Sequence, residues 1–195
     1  MEMTKIENIF KKNNGYLSAH EVTSRSMWYH LQKMIALGQV SKIKRGVYVL
    51  NAAIANHKMI DTQRIVPKSV LCLYSAWDYY HLTTTIPGAY YLAVEKSRKI
   101  TLPEFPPIKM VYLKKEYFEL GVKDICIDGF RMNIYDIEKS VCDAVKYRNK
   151  IGIETTAEII NKYLALKNRN IDKLVKYAKK MRIYTTLKLY LEIKL

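Results

Sequence analysis

The sequence predicts an α+β protein: a small N-terminal module, then a mixed α/β domain that ends in a helical C-terminal segment. Three observations carry this. The hydrophobic period switches from about 3.6 to 2 just after Gly38, short strand-like runs return between residues 90 and 135, and the pattern is helical from Asp136 onward. With 195 residues, 49% of them hydrophobic, the chain can build one ordinary core or two small ones. The expected organisation is a module at 1–51, a connector at 52–69 and a second domain at 70–195.

Thr4 to Asn13 reads as a helix with Ile6, Ile9 and Phe10 on one face, ended by Asn14-Gly15, two residues that tolerate a left-handed backbone. Ser18-Ala-His-Glu21 is a capping box, and Leu17 with Val22 has the spacing of a hydrophobic staple, so a short helix is expected there. Ser24 then caps a longer helix, Arg25 to Leu37, stopped at Gly38. At about 100° per residue, Met27, Leu31, Met34 and Ile35 share its inner face. Arg25, Tyr29, Gln32, Lys33 and Ala36 lie opposite, with Ser26 beside them.

After Gly38, Val40–Lys44 and Val47–Leu50 read as two strands joined through Lys44-Arg45-Gly46. A short helix, a turn, a longer helix with a polar outer face and a basic hairpin form the pattern of a winged helix-turn-helix. The chemistry suits double-stranded DNA. The helix face would enter the major groove, Lys42, Lys44 and Arg45 would lie against phosphates, and Gly46 would allow a close backbone approach.

Residues 51–68 read as a connector with a helical portion, closed by Pro67. Val70 to His81 reads as an apolar, aromatic helix, and strands are expected at 90–94, 109–113, 125–127 and 130–135. Asp128-Gly129 is a two-residue hairpin signal, and the proline-rich stretch 102–108 should be loop. Asp136 is placed to cap the first of the C-terminal helices. In one of these, Ile171, Leu174, Val175, Ala178 and Met181 form the inner stripe, and Lys173, Lys176 and Lys180 fall together opposite it. This secondary basic face, thickened by Lys146, Arg148 and Lys150 among others, is either a solvated surface or a second phosphate-contacting one.

Charge agrees with a polyanionic partner. Lys and Arg number 33 against 18 Asp and Glu, a net +15, with +5 in residues 1–51, +2 in 52–136 and +8 in 137–195. No apolar run has the length of a signal peptide or a membrane span, so a soluble cytoplasmic protein is expected. Cys72, Cys126 and Cys142 are odd in number and widely spaced, which fits neither a disulfide framework nor a zinc site.

Enzymatic signatures are missing. The E-x-K at Glu192–Lys194 has no acidic partner, and there is no P-loop, GxGxxG, HExxH, GxSxG, Gly-Ser turn or D-x-D. His20, His30, His57 and His81 are scattered. No catalytic residue, metal or cofactor is expected. Two other readings stay open, an interaction adaptor that neutralises a toxin by contact without DNA binding, and a nucleic-acid-processing enzyme.

Three segments resemble the AbiEi family of antitoxins, regulators of type IV toxin–antitoxin and abortive-infection systems. Gly38-Gln-Val-Ser-Lys-Ile-Lys-Arg-Gly-Val-Tyr48 looks like that family's wing, G-x-L-x-R-I-x-R-G-V-Y. Leu73-Tyr-Ser-Ala-Trp-Asp-Tyr-Tyr-His-Leu82 is similar to its S-A-L-x-x-x-G/H-L helix, with Trp77 replacing the usual Leu. The stretch 137–148 is similar to its E-R/K-T/S-L/V-x-D-A-x-x-x-R pattern. The resemblance implies a bacterial phage-defence antitoxin that represses its own operon at inverted repeats and neutralises a nucleotidyltransferase-like toxin, with or without direct contact. It further implies a monomer or weak dimer, two copies of which bind DNA cooperatively, and assigns antitoxicity to residues from about 70 onward.

Overall fold

The structure, a computed structural model, describes residues 5–56 and 59–192. Thr4 at the head of the first expected helix, His57, and the last two residues of Glu192-Ile193-Lys194 lie outside the described residues. The protein is a mixture of helices and strands with a helical C-terminal part. It divides into two compact units, one of residues 1–69, 100–106 and 125–132, the other of 70–99, 107–124 and 133–195.

In the first unit, helix α1 (Lys5–Lys12) buries Ile6 and Phe10. It stops at Asn14 and Gly15, whose φ angles are 51° and 88°. A Cβ on Gly15 would stand 2.2 Å from that of Ala53, so only glycine fits. Strand β1 (Tyr16–Ser18) and a single 3₁₀ turn (Ala19–Glu21) follow, then α2 (Arg25–Ala36), β2 (Val40–Lys44) and β3 (Val47–Leu50). The sheet is antiparallel, in the order β1-β3-β2. Ile6, Phe10, Met27 and Leu31 pack with Leu17, Val40 and Tyr48 in one core. Two short helices, α3 (Asn51–Asn56) and α4 (Thr62–Ile65), supply the helical portion expected between 51 and 68.

The helix expected after Ser18 is only the 3₁₀ turn. Glu21 does accept the Ser18 N–H at 2.7 Å, as a capping box requires. Thr23 and Ser24 follow too soon for α-helix, however, because Ser24 already caps α2 by accepting the Met27 N–H at 3.2 Å. Strand β1 was not expected, since three residues are too few to display an alternation.

The second unit holds most of a five-stranded sheet ordered β6-β5-β4-β8-β7. Its first elements are β4 (Val70–Leu71), α5 (Leu73–Tyr79), β5 (Tyr90–Glu95) and β6 (Ile108–Leu113). A turn of helix, α6 (Lys115–Phe118), leads to β7 (Val122–Ile127) and β8 (Phe130–Tyr135). The helix expected over 70–81 therefore begins with two strand residues. Val70 and Leu71 are fully buried at the middle of the sheet, antiparallel to β5 and parallel to β8, and such a strand shows no period of its own. Asp128 and Gly129, with φ of 52° and 79°, make the expected hairpin turn, whose flanking residues group with the first unit.

Asp136 accepts the Lys139 N–H at 2.9 Å and so caps α7 (Ile137–Ile151). Helices α8 (Ile153–Ala165), α9 (Ile171–Lys180) and α10 (Tyr184–Glu192) complete the unit. Trp77, Tyr135 and Tyr163 are the largest side chains of its core, and the Trp77 indole donates to the Ser140 carbonyl at 2.9 Å. Within that core the Lys139 ammonium donates to both oxygens of Asp143 at 2.6 and 2.7 Å and lies 4.2 Å from the centre of the Tyr135 ring. Among the described residues no helix is long and apolar enough to cross a membrane.

Candidate nucleic-acid interface

The inner stripe of α2 is anchored by Met27 and Leu31, both buried, with Met34 and Ile35 half-buried beside them. That anchoring turns the opposite face outward. Arg25, Ser26, Gln32 and Lys33 are exposed, and Tyr29 is 69% exposed. Its one ring contact among the described residues is with His30 of the same helix, edge-to-face at 6.0 Å. Trp28 on the helix flank meets Tyr48 of β3 edge-to-face at 6.3 Å, which ties α2 to the hairpin.

Register decides where the hairpin cations point. Lys42 is the cross-strand partner of Tyr48, so it rises from the sheet face that α2 packs on, and it is exposed. The pairing slips between Lys42 and Lys44, so that Lys44 pairs with Val47. The extra residue is Ile43. A bulge of this kind reverses the face of every residue after it. Lys44 accordingly points the other way and donates to the Ile65 carbonyl. Its expected place among the phosphate-facing cations is therefore corrected: with the bulge, Lys42 and Lys44 no longer share a face. Arg45 is exposed at the turn, and Gly46, at a φ of 77°, accepts the Ala19 N–H at 2.8 Å. Among the described residues Arg25, Lys33, Lys42 and Arg45 form no ion pair.

The capping box at Ser18 and Glu21 is also the centre of a polar brace. Arg64 of α4 donates to Glu21 at 2.6 Å, to Asp61 at 3.2 Å and to the Ser18 hydroxyl at 2.8 Å, and Asn13 donates to Glu21 at 2.7 Å. Burial alone would raise the Glu21 carboxyl; the hydrogen bonds from Arg64, Ser18 and Asn13 hold it below the usual range instead. Its pairing with Asp61 is local, but nothing in the local pattern of Arg64 signals the brace, because Glu21 and Ser18 are 43 and 46 positions away.

The secondary basic face does not stay together. Lys176 and Lys180 are exposed, but Lys173 lies 2.9 Å from Asp136 and 3.1 Å from Glu138. Burial works to lower its ammonium, yet the two carboxylates hold it well above the ordinary lysine range. Lys173 pairs with the carboxylates at the capped start of α7 and stands apart from exposed Lys176 and Lys180.

The thiols of Cys72 and Cys142 are buried, and burial pushes both well above the usual thiol range, while Cys126 is exposed. Among the described residues no three His, Cys, Asp or Glu side chains gather as a metal site. What fold and surface define is a mixed α/β protein with an outward-facing cationic helix and hairpin. No protein-family model matches the sequence, and no curated protein matches it either.

Proposed function

We propose that this protein is a sequence-specific DNA-binding regulator whose N-terminal unit is a winged helix-turn-helix. The observation that carries the reading is the outer face of α2, where Tyr29 is 69% exposed among exposed Arg25, Gln32 and Lys33. With its side chains a helix is about 10–12 Å across, the width of the major groove. Arg25 is suited to guanine edges, Gln32 to adenine, and Tyr29 to a thymine methyl or a phosphate. Lys42 and Arg45 supply phosphate contacts beside the helix. The resemblance of the wing and of two later segments to AbiEi antitoxins extends this to autorepression at inverted repeats and to protection from a nucleotidyltransferase-like toxin.

The test is a gel shift on the duplex upstream of the protein's own gene. Arg25→Ala and Arg45→Ala should each weaken binding about tenfold at about 100 mM salt. Unchanged binding by both variants refutes the assigned surface. If the protein instead co-purifies with the product of the adjacent gene and shifts no DNA, the adaptor reading replaces this one.

A further inference from the structure

The second unit contains a cleft of about 600 Å³. Tyr74 and Leu73 of α5, Tyr91 of β5, Lys109 of β6 and Tyr147 and Lys150 of α7 line it. Tyr91 and Lys109 are register partners on parallel strands, so both rise from one sheet face. The Lys109 ammonium lies 3.4 Å from the Tyr91 hydroxyl and 5.5 Å from its ring centre. Tyr74 meets the same ring at 5.1 Å. From α7, Lys150 stands 5.9 Å from the Tyr147 ring, which makes a second aromatic–cation pair in the same cleft. None of the lining residues is acidic.

Two further features fit a ligand site. The Tyr74 and Tyr147 hydroxyls are O–H donors at neutral pH, as any phenol with a pKa of about 10 is, and burial raises both further. Leu73 holds a φ of 45°, a conformation that costs a bulky residue energy and clusters at binding sites.

We propose that this cleft binds a nucleotide, the base lying against the tyrosine rings and the phosphates held by Lys109 and Lys150. The volume is within the range of small-molecule sites, about 300–1,000 Å³. An inorganic anion would use the lysines and leave the rings idle. An apolar ligand would use the rings and leave the lysines idle. A base joined to phosphates uses both, and stacking on aromatic rings accepts any base. The nucleotide is either free or the end of a single strand.

Calorimetric titration of the full-length protein distinguishes these cases, using ATP, adenosine, tripolyphosphate and a single-stranded oligothymidylate of about eight nucleotides. ATP should bind in the micromolar range, and adenosine and tripolyphosphate each about tenfold or more weaker. Lys109→Ala and Lys150→Ala, both at exposed positions, should each weaken ATP about fivefold, and Tyr91→Leu about tenfold. Lys123→Ala, an exposed change elsewhere in the unit, should leave it unchanged. Oligothymidylate binding tighter than ATP, with the same sensitivity to the variants, identifies the strand end as the source. The proposal is overturned if ATP binds no better than tripolyphosphate, if both lysine variants bind like wild type, or if ATP does not saturate by about 5 mM.

Discussion

Glu21 shows how one carboxylate can serve a turn and a brace at once. It accepts the Ser18 N–H that starts the 3₁₀ turn and also receives Arg64 and Asn13. Because its folded pKa is depressed, its contribution is present above the unfolded value, about 4.3, and is lost as pH falls through the folded one. Glu21→Gln should therefore cost about 1–3 kcal/mol near neutrality and flatten the acid limb of stability against pH. Urea denaturation between about pH 3 and 7 measures both, and parallel curves for the two proteins would show that the carboxylate is not the group involved. The sequence made the cap legible, since serine and glutamate three apart are a local signature. It left Arg64 hidden, because a partner brought in from 43 positions away has no local spacing to read.

Among the elements, those with strong periodicity were readable and those fixed by tertiary pairing were not. Helix α2, the hairpin β2–β3, strands β5, β6 and β8 and the helices after Asp136 follow from apolar spacing, caps and the Asp128-Gly129 turn. Strand β7 begins three residues before the expected 125–127, because exposed Val122, Lys123 and Asp124 show no apolar alternation. Strand β4 reads as the front of a helix, because Val70 and Leu71 are apolar on both faces and become a strand only between β5 and β8. The bulge at Ile43 is a property of the pairing, so Lys42 and Lys44 look equivalent in sequence and are not. Lys173 likewise looks solvated by its helical phase and is taken by the carboxylates at the start of α7. Helix α7 carries a prediction of its own. Lys139 is wholly buried and paired with Asp143, whose carboxyl is pushed up by burial against the pull of the lysine. Asp143→Ala should strand a buried ammonium and cost about 3–5 kcal/mol. The double change Lys139→Met, Asp143→Leu should recover most of that loss. Thermal denaturation of the single and double variants checks it; a double variant no more stable than the single one would mean that the pair itself, rather than its separation, sustains the core.

Across the whole molecule the net +15 supplies a general attraction to polyanions, which must be separated from specific contact. The salt dependence of duplex binding does this, because each phosphate neutralised steepens the fall of affinity with salt, whereas diffuse charge is shared by every surface. The measurement that bears most directly on the account is fluorescence anisotropy of the upstream duplex across a range of salt, with wild type, Arg25→Ala, Arg45→Ala and Lys44→Met. The α2 and hairpin surface predicts a slope shallower by about 1 for Arg45→Ala, a loss of affinity for Arg25→Ala, and a wild-type slope for Lys44→Met. Slopes and affinities that are the same in all four proteins, or a slope that falls only for Lys44→Met, would contradict it.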